Sequence, residues 1–382
     1  MSRLGKDTHI FVAAHVTEIY GPVQALQNYL AESGQDFAFA ACPFGYSKIT
    51  SASATVYRQG KAVAYQQGHR NRNWGALQWA LDALFMVRKV IRLANPRTVY
   101  IGINALNACV GVWLRRLRLC RGVVYYVIDY TPQRFESGLL NRLYQALCAF
   151  AARHADAVWN LSERMREVHA KFGTQPERSL LVPVGVEMQA VRPVEEPAID
   201  RKRWVLVSAL FENKGVQLAL EALRHVPEAR LVIIGTGPYE KNLKNLAEGL
   251  AVDDRVEFKG LMTHDPLFAY LPSCGLALAP YVPDPASYTY FADPTKPKEY
   301  LACGLPVVLT RVPWIAEVIA ERPMGIAIAY DAKELAEACR KLMTDDAFWR
   351  QCRENALGYA KEIDWKVIFA KAMQETGALI KK

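Results

Sequence analysis

Hydrophobic and polar positions change period repeatedly along this chain. Short unbroken apolar runs alternate with stretches in which apolar residues recur every three or four positions. The first pattern reads as a buried strand and the second as an amphipathic helix, and their alternation predicts an α/β class with parallel sheets covered by helices. In the first half the strand-like runs are HIFVAAHV (9–16), DFAFAACP (36–43), Thr98 to Ile103, Val123 to Ile128, DAVWNLS (156–162) and LLVPVGV (180–186). A turn at Gly21-Pro22 leads into the helical QALQNYLAESG (24–34). In the second half the runs are WVLVSAL (204–210), RLVIIGTG (230–237), RVEFKG (255–260), GLALAPY (275–281) and LPVVLT (305–310). The Pro/Glu-rich VRPVEEPAIDRKR (191–203) lies between the halves and reads as a linker. Two sheets of similar size predict two Rossmann-like domains, 1–190 and 200–363, followed by an amphipathic helix over 364–382.

At 382 residues the chain is too long for one typical core, and with 51% hydrophobic and 22% charged residues it is globular rather than disordered. Its eight cysteines are scattered without a CxxC pair, which points to free thiols in a reducing compartment. The opening MSRLGKDTHI leads towards a strand and lacks the pattern of a signal peptide, and no apolar run is long enough to span a bilayer. A cytoplasmic location is expected, with peripheral attachment at the inner face of the plasma membrane as its variant. Net charge is +9, and it is uneven: residues 1–190 hold 22 Lys/Arg against 12 Asp/Glu. A basic half suits an anionic acceptor or an anionic membrane surface, and is also compatible with ordinary surface charge. NWGALQWALDALFMVRKVIRLA (73–94) sets Trp, Leu and Phe among Arg and Lys at helical spacing. It reads either as a helix lying on a bilayer or as a core-facing helix with a solvated basic face.

The densest chemistry lies in PTKPKEYLACGLPVV (294–308). Polar residues open a helix, Gly304 stops it, and an apolar strand follows, the way an open α/β sheet presents a ligand site. Glu299 can accept from ribose hydroxyls and Lys296 can hold a phosphate. This block resembles the PxKxxEYxAxGxPVV signature of nucleotide-sugar glycosyltransferases with the GT-B fold, close to family 4. The resemblance implies two Rossmann-like domains facing a cleft, with the terminal helix crossing back to the N-terminal domain. It also implies that the C-terminal domain binds the donor and the N-terminal domain the acceptor.

Other segments extend the resemblance over most of the chain. Ser208 to Gly215 looks like the family's GRLxxxKG loop, with Lys214 in the phosphate-binding position, but Ser208 replaces the Gly and Ala209 the Arg that shares the diphosphate. Gly235-Thr236-Gly237-Pro238 looks like its GxGP element near the nucleotide, although by itself it is also a plain strand–helix turn. After RVEFKG, Leu261 and Met262 would lie under the base. Glu299 matches the second Glu of a pair spaced eight apart; the first would fall at Phe291, and Asp293 is the nearest carboxylate. In the N-terminal half, Gly21 sits where relatives carry a Gly pair beside the donor phosphates. His15 and Glu18 are candidates to face the acceptor or to be structural. Asp129, just past a buried strand, is the acid/base candidate or a turn cap, and Arg134 can help an anionic acceptor.

The reaction so implied moves a sugar from a UDP- or GDP-sugar to a hydroxyl of a glycan or lipid-linked acceptor, in cell-surface polysaccharide assembly and with retention. Asp129 acting as a base would equally suit inversion. The sugar nucleotide is a substrate; no cofactor or metal is expected, since folds of this type generally need none for the diphosphate and no DxD pair is placed to hold one. Nucleic acid is not among the expected partners. A non-catalytic sugar-nucleotide-binding module and a nucleotide-sugar epimerase remain as alternatives.

Overall fold

The structure is a computed structural model that describes residues 9–72, 74–188, 191 and 194–380. Outside the described residues lie the opening segment 1–8, Asn73, 189–190 at the end of the expected first domain, Arg192 and Pro193 of the expected linker, and 381–382 of the expected last helix. The chain divides into two compact units, Met1–Val184 with Trp365–Lys382, and Gly185–Asp364.

The first unit holds β1 (Ile10–Val16), β2 (Phe37–Pro43), β3 (Ser51–Arg58), β4 (Lys61–Arg70), β5 (Val99–Ile103), β6 (Gly122–Val127), β7 (Ala157–Asn160) and β8 (Ser179–Leu181). They form one sheet in the order β4-β3-β2-β1-β5-β6-β7-β8. β1, β2 and β5 to β8 are parallel, and every residue of β1, β2, β5, β6 and β7 is buried, as a sheet covered on both faces requires. β3 and β4 form an antiparallel hairpin on one edge, closed by Gln59 (φ 49°) and Gly60 (φ 76°). Two successive left-handed residues match the twist of a tight hairpin. The apolar runs do not announce this hairpin, because β4 is largely exposed and polar.

β8 ends at Leu181 instead of running to Val186. Pro183 brings no N–H to the ladder, so pairing stops after Val182 N donates to Asn160 O (2.8 Å). The helix Trp365–Ile380 belongs to the first unit: Trp159 Nε1 donates to Thr376 Oγ1 (2.8 Å), and Phe369 packs against Tyr29, Tyr126 and Trp159.

The second unit holds β9 (Asp200–Val207), β10 (Arg230–Ile234), β11 (Val256–Phe258), β12 (Cys274–Ala279), β13 (Val307–Thr310) and β14 (Gly325–Ile328). Its sheet is all parallel, in the order β11-β10-β9-β12-β13-β14. β9 starts four residues earlier than WVLVSAL suggests, inside the expected linker. That stretch is fastened to the second unit: Glu196 takes a bidentate hydrogen bond from Arg350 and Ile199 is buried. The units therefore part at Val184–Gly185 and again at Asp364–Trp365, not within 191–203. The strand order reverses between β9 and β12, and in the first sheet between β1 and β5; ligands of open α/β sheets bind beyond the carboxyl ends of strands at such points. All eight cysteines are free and buried. Among the described residues no helix is long and apolar enough to cross a membrane.

Candidate active site

The reversal point of the second sheet opens into a cavity of about 770 Å³. Ala209, Phe211, Lys214 and Gln217 line it from the β9 side, and Val282 and Tyr288 from the β12 side. The chain leaves β9 through Ser208, makes a turn over Glu212–Lys214 and enters the helix Val216–Leu223 at Gly215. Gly215 is left-handed (φ 72°), and a Cβ there would fall 1.6 Å from Pro280 O. The absence of a side chain thus lets the β9 loop lie against the end of β12, which brings Lys214 into the mouth of the sheet. Lys214 Nζ donates to Tyr288 Oη (2.7 Å) and sits over the Tyr281 and Tyr288 rings at 5.9 and 5.1 Å. Its hydrogen-bond partner is a phenol, and among the described residues no carboxylate lies within ion-pair distance of the ammonium, although Glu212 lines the same cavity.

Three further segments follow the carboxyl ends of β10, β11 and β12. Gly235 (φ 134°) follows β10, and a Cβ there would meet Ser208 O at 1.8 Å; a Cβ on Gly237 would meet Leu210 O at 2.3 Å. The β9 and β10 loops are therefore laced together, by Ser208 N to Ile234 O and Leu210 N to Thr236 O, both 3.0 Å. Leu261, past β11, is 78% exposed. From the helix Thr295–Ala302, Lys296 Nζ pairs with Glu299 Oε2 at 2.6 Å, and the Glu299 side chain is only 12% exposed. Tyr300 Oη accepts from Val207 N (2.7 Å), pinning this helix to the end of β9.

In the first unit, Gly21 caps the helix Pro22–Glu32, and a Cβ there would meet open space. Glu18 accepts from Ser47 Oγ (3.0 Å) and from Lys48 N (3.1 Å), and backbone hydrogen bonds hold its carboxyl below the usual range. Asp129 Oδ2 takes a hydrogen bond from Arg134 Nη1 (2.7 Å), so these two candidates form one half-exposed ion pair. His15 is buried, with Nε2 on Asp82 Oδ2 (3.1 Å) and Nδ1 on Asn107 Nδ2 (3.2 Å). Both of its nitrogens are engaged inside the unit.

Residues 201–345 match the family model described as glycosyl transferases group 1. The chain is 28% identical over 301 residues to the putative colanic acid biosynthesis glycosyltransferase WcaL of Escherichia coli K12, covering 73% of this chain and 72% of that protein. It is 26% identical over 338 residues to the GDP-mannose-dependent alpha-(1-6)-phosphatidylinositol dimannoside mannosyltransferase of Mycobacterium tuberculosis, covering 84% and 81%. HepE of Anabaena, solved in complex with UDP, has the same fold: TM-score 0.70 at 16% identity, over 96% of this chain and 98% of that one. The chain is a glycosyltransferase with the GT-B fold, and over 201–345 it resembles the group 1 glycosyl transferases.

In this glycosyltransferase the departures from the family pattern have definite surroundings. Ala209, at the position of the missing Arg, puts a methyl on the cavity wall. Phe291, at the position of the missing Glu, is buried. Asp293 does not turn towards the cavity: its carboxylate pairs with Lys298, and both side chains are wholly buried. Beside these candidates stand residues that no sequence motif marks. Tyr288 shares the cavity with Lys214 from a segment without motif character, so nothing local marks it. Asp82, His69, Gln78 and Asn107 surround His15 from three other elements.

Proposed function

We propose that this glycosyltransferase moves a hexosyl group from a UDP- or GDP-sugar to a hydroxyl of a glycan or lipid-linked acceptor, with retention, in the assembly of a cell-surface polysaccharide or glycolipid. The observation that carries this reading is the cavity at the β9/β12 reversal, with a lysine at its mouth and the start of a helix beside it. As the glycosidic bond breaks, charge develops on the leaving nucleoside diphosphate, and a fixed cation next to a helix N-terminus is what stabilises it. Lys214 takes that role and Glu299 accepts from the ribose. Ser208, Gly235, Gly237 and Leu261 shape the floor and the base side, while Lys296 orients Glu299 and supplies a second cation for a phosphate. In the first unit Gly21, whose N–H is held by Gln24 Oε1, leaves space for a phosphate to approach, Asp129 is the acid/base candidate, and Arg134, Glu18 and His15 belong to the acceptor side. The names of WcaL and of the mycobacterial mannosyltransferase, and the UDP held by HepE, support the substrate classes.

Peripheral membrane contact belongs to the same proposal. The helix Ala76–Leu93 buries one face, yet Leu77, Leu84 and Ile91 form an exposed stripe next to Arg88 and Arg92. Apolar side chains rimmed by cations suit an anionic bilayer carrying a lipid-linked acceptor. A panel of UDP- and GDP-sugars, read by thermal stabilisation and by slow donor hydrolysis, tests the reading. One sugar nucleotide should stabilise the protein and turn over. If none binds, the donor assignment fails; binding with no turnover on any acceptor returns the chain to a binding module.

A further inference from the structure

Beyond the transfer reaction, the first unit contains a second cluster with its own chemistry. β1 and β2 are parallel neighbours whose register sets His15 beside Cys42. Partners across a ladder point to the same face, so the imidazole and the thiol emerge together. The helix Ala76–Leu93 lays Gln78 and Asp82, one turn apart, over that face, and His69 approaches from the end of β4. Ligand atoms of Cys42, His69 and Asp82 all lie within 4.8 Å of one another.

The charge at this point is unbalanced. The Asp82 side chain is 2% exposed, and among the described residues no lysine or arginine lies within ion-pair distance of it. Its carboxylate instead collects donors: His69 Nε2 at 2.7 Å, Gln78 Nε2 at 2.9 Å and His15 Nε2 at 3.1 Å. The His15 tautomer follows from its neighbour. Asn107 Nδ2 donates to Ile103 O (2.8 Å), so the amide orientation is set, and the same nitrogen donates to His15 Nδ1. Nδ1 is therefore an acceptor, the proton is on Nε2, and His15 holds the carboxylate from behind. A buried carboxylate, a thiol and an imidazole, oriented by second contacts, form a donor set suited to zinc. His69 also lines a cavity of about 320 Å³ together with Gln67, Leu84 and Phe85, which provides a route in and room for a fourth ligand. Arg88, Lys89 and Arg92 line the same cavity, and their charge opposes an entering cation.

We propose that Cys42, His69 and Asp82 form a zinc site, with a water from the adjoining cavity in the fourth position. Zinc–sulfur bonds of about 2.3 Å and zinc–nitrogen or –oxygen bonds of about 2.0–2.2 Å require the more distant of these atoms to close in by roughly 1 Å, while the 2.7 Å His69–Asp82 hydrogen bond opens and the imidazole proton moves to the nitrogen that does not ligate. Binding turns the Cys42 thiol into a thiolate and releases its proton to solvent; the Zn²⁺, thiolate and carboxylate then sum to zero charge. Burial, helped by the Asp82 carboxylate, pushes the thiol pKa far up, and a bound dication reverses that. The ion would tie the β3–β4 hairpin and the helix Ala76–Leu93 to the central strands of the first unit, and it does not depend on the donor assignment.

The test is Co²⁺ titration of the purified full-length chain, followed by absorption spectroscopy, with zinc content measured on the protein as isolated. One equivalent of Co²⁺ should bind with a near-ultraviolet thiolate-to-cobalt band, and added Zn²⁺ should remove it. Cys42→Ser should lose the band, and His69→Ala should weaken Co²⁺ binding at least tenfold, with circular dichroism confirming that both variants are folded. The absence of the band in the wild type at millimolar Co²⁺ overturns the proposal and leaves a purely hydrogen-bonded network. A band that persists in Cys42→Ser overturns it as well, because another cysteine would then be the ligand.

Discussion

Lys214 Nζ lies 2.7 Å from the phenol oxygen of Tyr288, a residue 74 positions further along the chain. The pairing keeps the lysine extended into the cavity, and a phenol is an acceptor that a diphosphate readily displaces. A hydrogen bond to a charged group contributes about 1.5–3 kcal/mol, so Lys214→Ala should weaken UDP or GDP binding by roughly 10- to 150-fold. Tyr288→Phe should leave that affinity within about threefold, since only the displaceable acceptor is lost. Isothermal titration with the nucleoside diphosphate decides, and unchanged affinity in Lys214→Ala removes the lysine from the site.

Glu299 has a different task. Its carboxylate is largely buried and is held at 2.6 Å by Lys296, a geometry that presents an oriented acceptor. The wild-type protein should prefer a ribonucleotide over its deoxyribose counterpart, and Glu299→Ala should erase the preference while weakening nucleotide binding about tenfold or more. Competition binding with the two nucleotides measures this; a preference that survives the substitution would place the ribose elsewhere.

Much of this site is legible in the sequence because its parts are local. Lys214 and Gly215 follow a buried strand, and Glu299 sits three residues after Lys296 on one helix. Tyr288 and Tyr300 act through contacts 74 and 93 residues away, and no periodicity carries that information. The strands follow the same division. Strands buried on both faces stand out as apolar runs, whereas the exposed hairpin partner Lys61–Arg70 does not. The end of β8 shows a third limit: LLVPVGV is apolar throughout, and the backbone of Pro183, not hydrophobicity, decides where pairing stops.

Asp129 and Arg134 form an ion pair at 2.7 Å just past β6. Should Asp129 exchange a proton with the acceptor or the leaving group, Asp129→Asn should lower kcat by about 100-fold or more and leave donor affinity unchanged. Steady-state kinetics alongside donor titration separate the two effects, and a kcat within a few-fold of wild type would reduce Asp129 to a partner that orders the Arg134 loop.

Leu77, Leu84 and Ile91 are 56%, 53% and 60% exposed and recur every seven residues on the helix Ala76–Leu93. Replacing all three by Gln removes apolar surface from the outer face and leaves the buried face, with Phe85, Met86 and Val90, intact. Co-sedimentation with phosphatidylglycerol vesicles should fall at least fivefold, and binding of the wild type should weaken at high salt because Arg88 and Arg92 contribute. Equal sedimentation of wild type and triple variant would show that this stripe does not meet the bilayer.

His169 predicts an acid-sensitive first unit. Its ring is enclosed by Tyr125, Tyr130 and Phe172, and Nδ1–H donates to Met165 O (2.8 Å). Burial lowers its pKa from 6.5 to about 4, against a smaller opposing effect of that hydrogen bond. The unfolded chain thus takes up the proton first as pH falls, and stability declines between about pH 6.5 and pH 4. At 1.36 kcal/mol per pKa unit the loss from this residue approaches ~3 kcal/mol. Urea unfolding monitored across that range should show the decline, and His169→Phe, which keeps an aromatic ring in the enclosure but cannot take up a proton, should flatten it. An unchanged slope in His169→Phe would assign the acid sensitivity to other groups.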